Sequence, residues 1–139
     1  MSGTIVLGYD SSESAQAALE ETATLANDLQ SEVIVVFGYY ISPLGGGGSQ
    51  DFERALEELG SEVTKEAVTR LEEAGVKVSS RVIAEKPADA LIAVAREVGA
   101  RMVVVGTVGE GPITGAILGS VVLKLVQRCP IPIHVVPTA

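Results

Sequence analysis

Five short runs of β-branched and aliphatic residues recur along the chain, and each of the first four is followed by a stretch with helical apolar spacing. That alternation limits the possible folds more than any other feature of the sequence. Thr4–Gly8 (TIVLG), Val33–Phe37 (VIVVF) and Met102–Val105 are apolar throughout, as strands buried on both faces are. After the polar turn Tyr9-Asp10-Ser11-Ser12, the residues Ala15, Ala18, Leu19, Thr22, Leu25, Ala26 and Leu29 share one helical face. Their spacing predicts a first helix over Ser12–Gln30. Leu56, Leu59, Val63, Ala67 and Leu71 predict a long second helix with these five along its inner face, closed by Gly75. Val76–Ala84 reads as a third strand with one wetter side. Pro87 suits the first turn of a third helix that carries Ala90, Leu91, Val94 and Ala95 inward and stops at Gly99. Ser120–Gln127 predicts the last helix and Ile131–Val136 the fifth strand.

Strands joined by helices require parallel pairing and right-handed crossovers. The expected fold is therefore α/β, a single domain over residues 1–139. It is a doubly wound, Rossmann-like, five-stranded parallel sheet of order 3-2-1-4-5, with helices on both faces. The length suits one domain, and a hydrophobic content of 47% supplies one continuous core. With no Trp, two Phe and three Tyr, that core is mainly aliphatic. Sheets of this kind take ligands in the crevice beyond the carboxyl ends of the strands, where the strand order reverses. Tyr9-Asp10, Gly38 and the loop from Gly106 all fall at that edge.

A formal charge of −8 argues against a nucleic-acid partner, which would need clustered Lys and Arg. No apolar run approaches the length of a membrane span. The start MSGTIVLGYD lacks the basic and apolar segments of a signal peptide, so a cytoplasmic location is expected. The lone Cys129 has no internal disulfide partner, and no Cys/His cluster suggests a metal site. Tyr40–Gln50, with four consecutive glycines, reads as the one flexible stretch.

The segment Gly106–Ser120 carries the chemistry. Its glycines at 106, 109, 111, 115 and 119 are denser than a connecting loop needs. Glycine lets backbone N–H groups converge on an anion, and Gly119-Ser120 opens a helix whose free N–H groups and dipole favour a phosphate. Ser120 is the expected N-cap, or a donor to a phosphate oxygen. On glycine density alone, phosphate binding and a loop whose glycines only make turns stand about even. The segment is neither a Walker loop, which would end in Gly-Lys-Ser/Thr, nor a dinucleotide fingerprint after the first strand.

The spacing G-x2-G-x9-G-S, filled by Gly106, Gly109, Gly119 and Ser120, resembles the signature of the ATP-binding branch of the universal stress proteins. The resemblance covers essentially the whole chain, including Asp10 with its Ser-rich helix start and the closing CPIPIHVVP of residues 129–137. It implies that Asp10, with Tyr9 beside it, sits near the ribose or adenine edge, and that Gly38 offers backbone groups to adenine. It implies further that Gly106 and Gly109 line the ribose and phosphates, and that Gly119, Ser120 and Val121 hold the phosphates. ATP is the implied ligand, with AMP or ADP as alternatives and Mg2+ as an accompanying ion; a homodimer through Ile131–Val136 is implied as well. The chain departs from the family pattern at Val122, where a hydroxyl is common, and at Glu110, where a basic or polar residue is frequent. Glu85-Lys86-Pro87 also stands where Gly-x-Pro is often found. These departures bear on the triphosphate end and leave adenosine binding intact.

Other residues carry plainer readings. His134 lies in an apolar strand and is assigned to packing or an interface, and Cys129 to a small buried hydrophobe. Lys86 reads as a solvated loop lysine, though it is the cation nearest the expected phosphates. Glu53, Glu57, Glu58, Glu62 and Glu66 read as a wet helix face. The expected cradle has no Lys or Arg, whereas phosphoryl transfer needs charge neutralisation and an oriented nucleophile. A stress-response regulatory module with little or no turnover is therefore expected. A slow ATPase and a stress-response dimer that binds no nucleotide are the alternatives.

Overall fold

The computed structural model describes residues 3–41, 50–108 and 118–138. In chain order the elements are β1 (Thr4–Gly8), α1 (Glu13–Leu29), β2 (Glu32–Gly38), α2 (Gln50–Glu73) and β3 (Val78–Ile83), then α3 (Pro87–Val98), β4 (Met102–Gly106), α4 (Ser120–Arg128) and β5 (Ile133–Val136). The strands form one parallel sheet in the order β3-β2-β1-β4-β5. That is the expected doubly wound topology, and the order reverses between β1 and β4. Most of Tyr40–Gln50, the segment read as flexible, lies outside the described residues.

Alternation along the strands divides the apolar residues between two cores. Ile5, Leu7, Val33, Val35 and Val104 face α1 and α2, where they meet Ala18, Leu19, Ala67 and Leu71. Val6, Ile34, Val36, Val103 and Val105 face α3 and α4, against Leu91, Val94, Val122 and Leu125. The central strands are buried on both sides, which is why their sequences show no polar alternation.

Local chemistry sets the ends of the elements. Ser12 caps α1, its Oγ accepting the Ala15 N–H at 3.1 Å. Pro87 opens α3 and the left-handed Gly99 closes it. The third strand begins at Val78, not Val76, because the Val76 N–H is spent on the Leu71 carbonyl at 3.0 Å to close α2. The last strand is Ile133–Val136, two residues shorter at its start than expected. Ile131 and Pro132 approach it, and Pro132 has no N–H for the ladder, although its carbonyl accepts from Val103 at 2.9 Å.

One inward assignment is overturned. Leu59 is 48% exposed, and Leu56 is only half-buried. The inner face of α2 runs instead through Gly60, Val63, Thr64, Ala67 and Leu71. At Gly60 the helix lies so close to the sheet that a Cβ would stand 2.7 Å from both Phe37 and Val82. Thr64 turns its hydroxyl back to the Gly60 carbonyl at 2.9 Å.

The two leucines of α2 should therefore differ sharply. Leu71→Ala is expected to lower unfolding free energy by about 3 kcal/mol, the usual cost of an unfilled core site. Leu59→Ala should change it by less than about 0.5 kcal/mol. Urea denaturation of the two variants gives the comparison, and equal losses would place Leu59 in the core after all.

Candidate functional site

The strand-order reversal opens a cleft at the carboxyl ends of β1, β2 and β4, with about 590 Å3 of open space, mouth included. Each of these strands ends in a glycine and hands the chain to a loop, so backbone forms much of the wall. Tyr9 and Asp10 line it from the β1 turn, Phe37 and Gly38 from β2, and Gly106, Thr107 and Val108 from β4. Gly119, Val121 and Val122 enter from the start of α4. Six of the eight residues expected at the site, Tyr9, Asp10, Gly38, Gly106, Gly119 and Val121, are thus brought to one cavity.

The other two differ. Gly109 lies outside the described residues, as does Glu110. Ser120 is exposed and does not line the cleft; it is the first residue of α4, and Gly119 occupies the cap position with no side-chain cap bond. The expected serine cap is therefore absent. The Leu123 N–H is the first to bond within the helix, to the Gly119 carbonyl at 3.1 Å. The N–H groups of Ser120, Val121 and Val122 precede that first bond and form the anion-receptive end of the helix.

Several lining residues escaped sequence reasoning. Pro87 and Leu91 form a wall from α3, with Val36 beside them, and Ser12 and Ala15 contribute from α1. Their signal is indirect: Gly38 has no room for a side chain, since a Cβ there would lie 2.7 Å from the Glu85 carbonyl and 2.9 Å from Pro87 Cα. The start of α3 is packed onto the end of β2 and so faces the cleft. Lys86, just before that helix, is exposed with its ammonium 5.0 Å from the Tyr40 ring centroid, and is not among the lining residues.

The glycine loop is tied down at its base. The Gly119 N–H donates to the Thr107 carbonyl at 2.8 Å, joining the two described ends of the loop. Ser14, buried in the first turn of α1, accepts the Val108 N–H on its Oγ at 3.2 Å and lies 3.5 Å from the Thr107 hydroxyl. Gly106 sits against this same serine: a Cβ would be 2.1 Å from Ser14 Oγ and 2.5 Å from its carbonyl oxygen. Gly38 and Gly106 are therefore demanded by packing as well as placed at the cleft.

Among the described residues that line the cleft, Asp10 is the one that is charged. Its Oδ1 accepts the Ser12 N–H at 3.0 Å, which closes the turn between β1 and α1. Burial, and next the Glu66 carboxylate, push the Tyr9 phenol above its ordinary range, so it stays neutral. The wall is otherwise aliphatic, aromatic, hydroxyl or backbone. Among the described residues no group of three or more His, Cys, Asp or Glu is placed to hold a metal ion. No helix there is long and apolar enough to cross a membrane.

Outside the cleft, His134 is half-buried on β5 and bonds Glu21 of α1 through Nε2 at 3.0 Å, a packing role. Cys129 is half-buried at the end of α4, its N–H on the Leu125 carbonyl at 2.8 Å.

The model of the universal stress protein family matches residues 1–137. A universal stress protein of Mycobacterium tuberculosis is 30% identical over 142 aligned positions, covering 97% of this chain and 96% of its own. The solved structure of a universal stress protein in complex with cAMP shares 28% identity and a TM-score of 0.77, covering 99% of this chain and 98% of that one. A hypothetical protein whose biochemical function was assigned from its structure has the same fold, with a TM-score of 0.88 at 21% identity and coverage of 100% and 98%.

Two outcomes follow from the geometry. Gly106→Ala forces α1 away from β4 and should cost at least about 2 kcal/mol of stability in urea unfolding; a neutral change would mean that α1 gives way freely. The raised Tyr9 pKa favours the neutral phenol in the folded chain, so its contribution is intact below about pH 10, the ordinary tyrosine value. The contribution is lost as pH rises from there through the folded-state value. Tyr9→Phe should flatten that alkaline fall in a melting-temperature profile, and an unaltered fall would remove Tyr9 as its source.

Proposed function

The chain belongs to the universal stress protein family, and from that premise we propose that its cleft binds an adenosine nucleotide, with ATP the first candidate. The observation that carries this reading is the meeting, in one cleft, of an apolar wall and an anion-receptive helix start. Val36, Pro87 and Leu91 offer a surface for a base, and the Gly38 backbone lies at its rim. Asp10 and Tyr9 stand where a ribose would reach them. The backbone of Gly106, the glycine loop through Gly109, and the first N–H groups of α4 at Ser120 and Val121 receive the phosphates. The family member solved with cAMP, similar over nearly its full length, supports an adenosine ligand.

In this reading the protein is a regulatory stress-response module with little or no turnover. Among the described residues, Asp10 is the only charged one that lines the cleft, and no Lys or Arg does. Phosphoryl transfer would have to proceed without protein cations to neutralise it. Mg2+ accompanies a polyphosphate, carried by the phosphates themselves. One observation favours a shorter phosphate chain: Val122, 2% exposed and at the cleft wall, has no hydroxyl to offer a terminal phosphate. AMP or ADP then binds as well as ATP. We further assign a homodimer through β5, which ends the sheet among the described residues and so offers an edge for pairing, and a cytoplasmic location.

Calorimetric titration of the protein with ATP, ADP and AMP tests the proposal. Saturable heat with at least one is expected, and none at millimolar nucleotide would sink it. Gly119→Val should weaken binding by at least about tenfold, equivalent to about 1.4 kcal/mol. Gly119 has φ −68°, a backbone conformation that any residue adopts, so its urea midpoint should hold. Unchanged affinity would move the phosphates away from α4.

A further inference from the structure

Tyr9 and Asp10 reach the cleft on a turn whose next residue, Ser11, has φ 69°. That left-handed conformation is uncommon for a residue bearing a side chain. Ser11 is gripped from outside the turn at both of its polar ends. Its Oγ donates to Glu66 Oε2 on α2 at 2.7 Å, across 55 positions of sequence, and its carbonyl accepts from Gln16 Nε2 at 3.0 Å. The same Glu66 carboxylate acts on the Tyr9 phenol, helping burial to hold it neutral. One helical turn later, Arg70 pairs with Glu20 of α1. A single face of α2 therefore clasps the turn before α1 and the middle of that helix, and neither Glu66 nor Arg70 lines the cleft.

We infer that Glu66 is a positioning residue for the nucleotide site, holding through Ser11 the left-handed turn that aims Tyr9 and Asp10 into the cleft. The inference rests on the adenosine-nucleotide reading above. A hydroxyl donating to a carboxylate makes a charge-assisted bond, stronger than one between neutral groups. Without it, Ser11 is free to relax toward negative φ and carry its two neighbours with it. Glycine has no Cβ to oppose positive φ, so Ser11→Gly lets the turn keep its shape without the clasp. That asymmetry separates positioning from a general structural role.

The test compares wild type, Glu66→Ala, Glu66→Gln and the double variant Ser11→Gly/Glu66→Ala by two readouts. The first is calorimetric affinity for AMP and ATP. Glu66→Ala should weaken binding about five- to tenfold, the range of one such hydrogen bond. Glu66→Gln keeps an acceptor and should stay within about threefold, and the double variant should return close to wild type. The second readout is amide exchange in the ligand-free protein at Ser12 and Ala15, whose N–H groups bond Asp10 Oδ1 and Ser12 Oγ. Exchange should accelerate in Glu66→Ala and slow again in the double variant. Absence of nucleotide binding by wild type would count against the functional reading alone, because amide exchange still reports on the clasp. Exchange that Glu66→Ala leaves unchanged, or that Ser11→Gly fails to restore, overturns the inference; so does wild-type affinity in Glu66→Ala.

Discussion

The contact between Ser14 and Gly106 governs the functional end of this molecule. It brings the first turn of α1 against the last residue of β4 so closely that no side chain fits between them. The first follows β1 and the second ends β4, the two strands on either side of the strand-order reversal. Ser14 then takes the Val108 N–H, and Thr107 takes the Gly119 N–H, so the base of the glycine loop is fixed from both sides. A buried hydroxyl with its partners satisfied is well suited to this task, because leaving the Val108 amide unpaired there would be costly.

What results is a cleft whose described lining carries one charged residue, Asp10, beside a helix start. Backbone N–H groups at the head of α4 supply partial positive charge without the strong field of a lysine or arginine. Such an arrangement is suited to holding an anionic ligand. The network of Ser11, Glu66, Arg70 and Glu20 links the Tyr9-Asp10 turn to α2, an element that does not itself touch the cleft.

Much of this was legible from periodicity. Central strands buried on both faces must be apolar at every position, so TIVLG, VIVVF and MVVV announced themselves, and Pro87, Gly99 and Ser12 marked helix ends by their backbone chemistry. The misplacements came where two elements meet. Leu59 fits a helical stripe, but at that level the residue against Phe37 and Val82 is Gly60, while Val63, Ala67 and Leu71 of the same stripe are buried as expected. Ser120 has the chemistry of a cap, yet the helix begins at Ser120 itself, with Gly119 at the cap position. Ile131 suits a strand, but it comes two residues before the ladder with β4 is made.

By itself the sequence determined the element order, the parallel sheet, the edge at which the cleft opens and six of the residues that line it. Those follow from local chemistry and from the geometry that any strand–helix–strand repeat imposes. Only the tertiary structure decided that Pro87 and Leu91 form the apolar wall, that Ser14 anchors the loop, and that Glu66 clasps Ser11. Each of these depends on contacts between residues tens of positions apart, and the approach of two packed elements leaves no periodic trace in either one.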